Sequence, residues 1–298
     1  MKRVYKTLNS VETSLLIWDN PFDTNGKDVI LCLTGNPGVT DFYIEFAAEL
    51  YQSHSMPICV IGQAGHEEVP HEKSNILSSQ EHLFNLEGQI KHKLDLINNC
   101  IDKKSKLHLI GHSIGAWLII EILQRNSSLI HRVSSVNLLF PTLQRMAISP
   151  NGKYINNTLR KMFSYVLFIL KLIRILPICI KKFLIDLYIL VKSLPPHYYE
   201  RIYKVISPSV MEKVMFLAFD EMDTVVELNK AGIVKIKHLT NVIYSDCDNW
   251  APLSYMEDLK VYQPELQLHE VKVEHAFVLK SSVDIAQMVA EYIQTKSQ

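Results

Sequence analysis

The sequence predicts an α/β fold in which a mostly parallel, doubly wound sheet carries a helical cap insertion. Three observations lead to this fold class: short β-rich runs alternate with helical patterns, the early runs are almost continuously apolar, and the alternation stops within one long segment. Continuous apolar strands indicate a sheet that is covered on both faces, because an exposed face would show alternating polar residues. The chain has 298 residues, which is enough for one large domain with a sizeable core.

Six runs along the chain are predicted to be buried strands. They are Val29–Leu33, Pro57–Ile61, Lys106–Ile110, Val133–Leu139, Asn241–Tyr244 and Leu268–Val273. Arg3–Leu8 and Glu12–Trp18 are predicted to form an antiparallel hairpin at the edge of the sheet. The helical spacing of apolar residues predicts helices over Phe42–Tyr51 and Ala116–Leu123. Strands and helices that alternate in this way build a parallel sheet with helices on both faces.

The alternation breaks between Pro141 and about Lys235, where no strand pattern can be recognised and the composition becomes helical, basic and apolar. We therefore assign residues 1–140 and 236–298 to the α/β core and residues 141–235 to a helical cap or lid. An insertion at this point of the chain is expected to lie over the carboxyl ends of the strands. Open α/β sheets bind their ligands at these ends, so the cap is expected to shape the substrate pocket.

Within the cap, the sequence from about residue 160 to 193 predicts an amphipathic segment that binds membranes. Pro177 divides it into two helices, and five charged residues interrupt it: Lys171, Arg174, Lys181, Lys182 and Asp186. It is therefore not a simple membrane span. On a helical wheel these charges lie within an arc of roughly 160°, opposite an almost unbroken face of Leu, Ile, Phe and Val. This pattern is typical of a helix in a membrane interface, although a cap helix packed against the catalytic domain would produce it as well.

Composition narrows the range of functions. The 31 Lys and Arg residues balance the 31 Asp and Glu residues, so no overall basic field attracts nucleic acid. The basic N-terminus is not followed by an apolar stretch, so no secretory signal is expected. Five cysteines without paired spacing predict free thiols in a reducing compartment. The sequence shows no metal-binding or nucleotide-binding motif, so neither a metal nor another cofactor is expected.

Gly111–Gly115 has the pattern G-x-S-x-G with Ser113 at its centre. The pattern is weak alone, but here the predicted strand Lys106–Ile110 precedes it and an apolar helix follows. This is the setting in which a nucleophile elbow forms, with the serine hydroxyl exposed at the tip of a tight turn. The amides and the positive dipole end of the helix then face the developing oxyanion. The alternative is a glycine-rich turn with an incidental serine.

A nucleophilic serine needs a base, and the base needs an acid that orients it; in this fold they follow in the order Ser, Asp or Glu, His. His275 lies just beyond the last predicted strand, whereas its competitor His269 lies within that strand. Asp246 and Asp248 both lie in the loop after the preceding strand. We favour Asp248, because it precedes an aromatic-x-Pro stretch that starts the next helix. Either aspartate has an alternative role in capping a helix or a turn.

The oxyanion hole is predicted from two backbone amides. The first is the N–H of Ile114, the residue after the nucleophile, and the second is the N–H of Asn36 in the loop after the first buried strand. Pro37 has no N–H to donate, while Gly35 and Gly38 allow the main chain to turn sharply toward the pocket. The same residues also form a good turn without any catalytic role.

With these residues placed, the chain resembles the lipid droplet-associated hydrolase family of α/β-hydrolases over nearly its whole length. The motifs that carry the resemblance are Leu33–Tyr43, Gly65–His66, Gly111–Ala116, Leu139–Thr142, Ser149–Gly152, Asp248–Pro252 and His275–Val278. The resemblance implies an α/β-hydrolase fold, with Asp248 as the acid and His275 as the base. It also implies a location at the lipid droplet surface and on the cytosolic face of the endoplasmic reticulum membrane. The Gly-Asn-Pro stretch looks like haloalkane dehalogenases too, but those carry an aspartate where this chain has Ser113.

These observations together predict a serine ester hydrolase that acts on lipid esters, with sterol esters among the substrates that the resemblance implies. A Ser-His-Asp triad would form an acyl-enzyme with the lipid at the droplet surface. One alternative is a protein that binds or organises lipid droplets and has weak or no hydrolase activity, because a fold alone does not establish chemistry. The other alternative is a soluble carboxylesterase or thioesterase with a closed cap.

Overall fold

An eight-stranded sheet forms the centre of the computed structural model, which describes residues 1–70 and 76–296. Its strands in chain order are β1 (Lys2–Leu8), β2 (Val11–Trp18), β3 (Val29–Leu33), β4 (Ile58–Ile61), β5 (Leu107–His112), β6 (Val133–Leu139), β7 (Thr240–Ser245) and β8 (Gln267–Val271). They lie side by side in the order β1-β2-β4-β3-β5-β6-β7-β8. β2 pairs antiparallel with β1 and β4, and the remaining pairs are parallel. The predicted doubly wound fold and its antiparallel edge hairpin are confirmed.

Helices connect the strands and cover both faces of the sheet. In chain order they are α1 (Ile44–His54), α2 (Glu81–Phe84), α3 (Leu86–Asn99), α4 (Ile114–Arg125), α5 (Ser127–Ile130), α6 (Pro150–Tyr154), α7 (Arg160–Ile175), α8 (Ile178–Lys192), α9 (Tyr198–Val205), α10 (Pro208–Thr224), α11 (Lys230–Ile236), α12 (Leu253–Met256) and α13 (Ser282–Lys296). The predicted helix over Phe42–Tyr51 begins later than expected, because Thr40–Tyr43 forms a 3-10 turn before α1.

The apolar strands feed two cores, one on each face of the sheet. In β3, Leu31 contributes to the first core, together with side chains of α3 and α4. Its neighbours Ile30 and Cys32 point to the second core, which α1 and α13 complete. Successive side chains of a strand face opposite sides of a sheet, so a strand covered on both faces is mostly apolar. This explains the continuous apolar runs of β3 and β4.

The segment of residues 141–235 contains no strand, and its helices fall into two groups. α10 and α11 pack into the first core through Leu217, Met222 and Ile233. α7 ends just before Pro177 and α8 begins just after it. Both helices keep most of their side chains exposed. The predicted division of the chain into core and cap stays a prediction, although two helices of the predicted cap contribute to the core.

The helix α9 fastens the inserted segment to the core. Arg201 is buried, and its guanidinium donates to both carboxylate oxygens of Glu45 at 2.7 and 2.5 Å. Lys204 forms a second ion pair, with Asp41. Bidentate pairing of a planar guanidinium with a carboxylate fixes the orientation of both groups, so α9 is held firmly beside the loop that follows β3. Among the described residues, no helix is long and apolar enough to cross a membrane.

Candidate active site

Ser113 occupies the sharp turn between β5 and α4. Its backbone angles are φ +54° and ψ −121°, a conformation that is strained for a residue with a side chain. The two flanking glycines are required by close packing. A Cβ atom on Gly111 would lie 2.6 Å from the Gly115 carbonyl oxygen, and one on Gly115 would lie 2.5 Å from the Leu33 carbonyl oxygen. The elbow therefore forms against β3 and presents the Ser113 hydroxyl at the carboxyl end of the sheet.

The structure brings Ser113, His275 and Asp248 together into one hydrogen-bonded row. His275 follows β8, and its Nε2 lies 3.0 Å from Ser113 Oγ. Its Nδ1 lies 2.7 Å from Asp248 Oδ2. This is the geometry in which an imidazole accepts a proton from a serine while a carboxylate holds the other ring nitrogen as a donor. The three residues come from three separate loops at the same edge of the sheet.

The environment of Asp248 keeps its carboxylate ionised. Burial alone would raise the pKa of Asp248, but the hydrogen bond from His275 and the amides of Trp250 and Ala251 hold this pKa below its ordinary value. Those two amides donate to Asp248 Oδ1 at 2.7 and 3.1 Å. One carboxylate oxygen is thus held by the turn, and the other is left for His275. Asp248 therefore accepts hydrogen bonds from the amides of its own turn and contacts His275 at the same time.

The two competing residues lie elsewhere. Asp246 is exposed in the same loop as Asp248, and no hydrogen bond joins it to His275 within the described part of the chain. His269 is exposed on the edge strand β8 and lines a separate small cavity beside Asn241. Alternation along β8 directs it to a face of the sheet, as expected from its position within a strand.

Both predicted oxyanion donors lie beside the elbow. Ile114 is the first residue of α4, so its N–H is one of the helix amides that lack an intrahelical acceptor. The loop that contains Asn36 approaches the elbow closely: a Cβ atom on Gly35 would lie 3.1 Å from Ser113 Cβ. The described residues offer no hydrogen-bond acceptor to the backbone N–H of Asn36. Two amides near the nucleophile are therefore available for an oxyanion.

The side chain of Asn36 reveals a contact that the sequence did not predict. Its Nδ2 donates to Glu221 Oε1 at 2.9 Å and to the Val214 carbonyl oxygen at 3.1 Å, both on α10. Burial raises the pKa of the Glu221 carboxyl to about 8, although the hydrogen bond from Asn36 opposes this shift. The loop Thr34–Gly38, which we call the oxyanion loop after its predicted role, is thus tied to the inserted segment. No local pattern signals the contact, because the two residues are 185 positions apart.

An apolar cavity of about 610 Å³ leads away from His275. Its wall contains Asn36 and Pro37 of the oxyanion loop, and α7, α8 and α9 supply a further part of it. The apolar residues from these three helices are Ile173, Leu184, Ile185, Tyr188, Ile202 and Val205, and Ile206 directly follows α9. Lys181 is the cationic residue in the wall. Within the described ranges, no group of three or more His, Cys, Asp or Glu side chains is arranged to hold a metal ion. The arrangement is suited to nucleophilic attack on a bound apolar ester.

Comparison with known proteins agrees with the fold. A model of the family described as "Lipid-droplet associated hydrolase" matches residues 26–278. The lipid droplet-associated hydrolase of Drosophila melanogaster is 37% identical over 305 residues, which cover 99% of this chain and 98% of that protein. Among solved structures, a thermophilic esterase from Thermogutta terrifontis has a TM-score of 0.62 at 16% identity, with 100% of each chain covered. A meta-cleavage product hydrolase from Pseudomonas fluorescens has a TM-score of 0.66 at 16% identity, covering 98% of this chain and 97% of that one. Both structural similarities concern the fold.

Proposed function

The chain belongs to the lipid droplet-associated hydrolase family, and from this membership we propose that it is a serine hydrolase that cleaves lipid esters at the surface of lipid droplets. One observation carries the proposal: the imidazole of His275 lies 3.0 Å from Ser113 Oγ and 2.7 Å from Asp248 Oδ2. An imidazole with both of these partners can activate a serine and then return the proton to the leaving group.

In the proposed reaction, Ser113 Oγ attacks the ester carbonyl carbon while His275 Nε2 takes the hydroxyl proton. The carbonyl oxygen becomes an oxyanion, which the N–H groups of Ile114 and Asn36 stabilise. Collapse of this intermediate breaks the bond to the alcohol oxygen, and His275 gives its proton to the departing alcohol. Water then attacks the acyl-enzyme with the same base, which releases the fatty acid and restores Ser113. Asp248 holds the imidazole in orientation and stabilises its charged form.

The cavity supports a lipid as the substrate. Its wall is mostly Leu, Ile, Val and aromatic side chains, and it ends at His275 and Asn36, where the ester carbonyl would lie. Apolar walls with a few polar groups at the reacting end are typical of sites for hydrophobic ligands. We include sterol esters among the substrates, because such a molecule presents one ester group and an otherwise apolar surface, as the cavity requires.

The exposed faces of α7 and α8 support the proposed location. Large apolar side chains project from both helices, among them Tyr165, Phe168, Ile175, Phe183 and Leu190, with Ile175 80% exposed and Leu190 75% exposed. Lys and Arg residues flank this apolar surface. A helix pair of this composition can insert its apolar face into a lipid monolayer and keep its basic residues at the headgroups. We propose that these helices bind the droplet surface and the cytosolic face of the endoplasmic reticulum membrane.

The same exposed surface also favours a second function. A protein that binds droplets through α7 and α8 can organise their surface without turning over a substrate, because binding does not depend on Ser113. The two functions are separable by a single experiment in lipid-loaded cells that lack the protein. Restoration of the wild-type phenotype by the Ser113→Ala variant would favour the binding role, whereas failure of that variant would favour hydrolysis.

The direct test of the proposed function is labelling with a fluorophosphonate, which reacts with activated serines. We expect the wild-type protein to be labelled and the Ser113→Ala variant to lose the label and ester hydrolysis together. Loss of a triad serine lowers the rate by several powers of ten. Ser53→Ala is the matched control, because Ser53 is exposed on α1 and its hydroxyl donates only to the Glu49 carbonyl oxygen. Persistent labelling of the Ser113→Ala variant would contradict the proposal.

A further inference from the structure

The side chain of His112, the residue before the proposed nucleophile, connects two loops of the site. It is buried at the end of β5. Its Nδ1 lies 2.6 Å from the Tyr43 hydroxyl oxygen, and its Nε2 lies 3.0 Å from the main-chain carbonyl oxygen of His275. Tyr43 in turn contacts the oxyanion loop, because the Gly35 N–H donates to its hydroxyl oxygen at 2.8 Å.

The directions of these hydrogen bonds follow from a neutral His112, because the His275 carbonyl oxygen can only accept and so places the ring proton on Nε2. His112 Nδ1 then accepts from the Tyr43 O–H, while the Tyr43 oxygen accepts from the Gly35 N–H. A histidine that accepts at Nδ1 and faces a carbonyl at Nε2 must be neutral, with its proton on Nε2. Burial and the nearby His275 lower the pKa of His112 to about 3, which agrees with the neutral form.

Aromatic rings pack around this chain of contacts, next to the cavity wall to which Tyr43 and His112 contribute. The His112 ring packs edge-on against Phe140 and Phe277, with centroid distances of 6.3 and 5.0 Å. Tyr43 also packs edge-on against Phe277, at 6.4 Å. Hydrogen bonds between buried groups are electrostatically stronger than in water, and an unpaired buried polar group is costly. The imidazole therefore has one favourable orientation, which is the one that bonds both loops.

We propose that Tyr43 and His112 are positioning residues for the hydrolysis, an inference that rests on the proposed function. The contacts run from Gly35, which precedes the oxyanion donor Asn36, through Tyr43 and His112 to the main chain of His275. They thereby set the spacing between the oxyanion donor and the base, on both sides of Ser113. Neither side chain forms a hydrogen bond to the reacting atoms. Tyr43 acts through the Gly35 main chain, and His112 acts through the His275 main chain and through its ring, whose centroid lies 5.2 Å from that of the His275 ring.

The Tyr43→Phe variant tests the proposal, because it removes the hydroxyl and keeps the ring. We expect kcat for a water-soluble short-chain ester, measured per fluorophosphonate-labelled serine, to fall about five- to tenfold with KM unchanged. Tyr292→Phe is the matched control: Tyr292 is also buried, and its hydroxyl has no hydrogen-bond partner within the described part of the chain. A lower melting temperature with an unchanged kcat per labelled serine would show a structural role only and overturn the proposal.

Substitutions of His112 test whether the two side chains act as one unit. His112→Gln keeps an amide that can donate toward the His275 carbonyl, whereas His112→Leu does not, so the first variant should retain more of kcat than the second. In the double variant Tyr43→Phe/His112→Leu, the loss should be smaller than the product of the two single losses, because either substitution alone already breaks the contact between Tyr43 and His112. Independent, multiplying losses would overturn the proposal.

Nitrogen NMR of the histidine rings tests the inference without any activity. His112 should show the neutral Nε2–H form from pH 8 down to pH 4.5, with its signal assigned by its absence in the His112→Gln spectrum. The His275 ring signals should shift in Tyr43→Phe and stay in place in Tyr292→Phe. If the wild-type protein neither reacts with the fluorophosphonate nor hydrolyses esters, the proposed function fails. The spectra would still show whether Tyr43 and His112 control the position of His275. A proton on Nδ1 of His112, or His275 ring signals that are the same in Tyr43→Phe and in the wild-type protein, would overturn the proposal.

Discussion

Asp246 and Asp248 are two positions apart in one loop, yet their surroundings differ completely. Asp248 is 4% exposed and bonded to His275 and two backbone amides, whereas Asp246 is exposed. The sequence allowed either carboxylate to orient the base, and only the loop conformation separates them. Local turn chemistry explains the difference: an aspartate whose oxygen accepts the amides two and three residues later is held in place by its own backbone.

This contrast leads to a prediction about the two aspartates. Asp248→Asn should lower kcat for ester hydrolysis by about 10³- to 10⁴-fold, because an amide at this position can donate to His275 Nδ1 and so favours the wrong tautomer. Asp246→Asn is the matched control and should leave kcat within about twofold of the wild-type value, since its side chain is exposed. Steady-state kinetics on both variants decides the matter. A comparable loss in both variants would refute the assignment of Asp248.

Glu221 is buried, and its pKa, raised to about 8, makes folding stability depend on pH. An ordinary glutamate titrates near 4.5, so between pH 4.5 and 8 the unfolded chain releases a proton that the folded chain keeps. The stabilisation is full below pH 4.5 and is lost as the pH rises through 8. Glu221→Gln keeps the acceptor for Asn36 and cannot ionise. We therefore expect this variant to gain stability over the wild-type protein as the pH rises from 4.5 to 8.

Urea denaturation at pH 5 and pH 8 measures the effect of Glu221→Gln. The gain in the free energy of unfolding should be about 1.4 kcal/mol for each pH unit within this interval and nearly absent at its lower end. Glu227→Gln serves as the control, because Glu227 is exposed a short distance along the chain. An equal gain at both pH values would mean that ionisation of Glu221 is not the cause.

The helices α7 and α8 differ from the other helices because much of their apolar surface is exposed. α4 buries its apolar residues in the first core, whereas α7 has no buried residue along its whole length. Each of the two helices still has its own support: α7 contacts α10 through Phe163 and Phe219, and Lys182 of α8 lies over the Tyr199 ring of α9. Their apolar surface is therefore presented outward by a fixed scaffold.

A double substitution tests whether this surface binds lipid. Phe168→Ser/Phe183→Ser removes two rings that are 61% and 65% exposed and do not line the cavity. Each ring that enters a lipid phase contributes about 2 kcal/mol, so the fraction bound to phospholipid-coated triglyceride droplets should fall by at least tenfold. Hydrolysis of a soluble short-chain ester should be unchanged. Val261→Ser, at a position 76% exposed outside these helices, should bind as the wild-type protein does. Undiminished flotation of the double variant would exclude this surface.

The elements that could be predicted from the sequence are those whose signal is local. β3 and β6 agree residue for residue with the predicted strands. β3 is apolar throughout, as is typical of a strand covered on both faces, whereas β6 also carries Ser134, Ser135 and Asn137. β8 ends at Val271 rather than Val273, since it is an edge strand with a mostly exposed pattern and a weaker signal. The packing of α10 and α11 into the first core was not predicted. Amphipathic helices reveal that they have a buried face but not which surface covers it.

At the scale of the whole molecule, the candidate site depends on loops from distant parts of the chain that the parallel sheet brings to one edge. The order of serine, acid and base follows from the fold, which is why the position of His275 could be predicted. The contacts of Asn36 with α10 and of His112 with the His275 loop could not, because no sequence pattern relates residues 185 and 163 positions apart. Local motifs identify the reacting groups, whereas tertiary packing determines how they are held.

Several buried titratable groups make the free energy of unfolding of the whole molecule depend on pH. Burial lowers the pKa of His66 and of His112 to about 3, and it lowers that of His92 well below its ordinary value. As the pH falls below 6.5, the unfolded chain therefore binds three protons that the folded chain refuses. Each of these histidines costs about 1.4 kcal/mol of stability per pH unit. Glu221 acts in the opposite direction, since it favours the folded state as the pH falls from 8.

The free energy of unfolding should therefore fall as the pH drops from 6.5 to 5. On this acid limb the histidines outweigh Glu221, whereas on the alkaline limb Lys93, whose pKa burial lowers well below its ordinary value, opposes the decline that Glu221 sets. Urea denaturation at half-unit steps from pH 5 to 8.5 measures both limbs. Glu221→Gln should make the acid limb steeper, because it removes the opposing contribution of Glu221 and leaves the histidines in place. A wild-type stability that does not fall between pH 6.5 and pH 5 would mean that the buried histidines accept protons while folded.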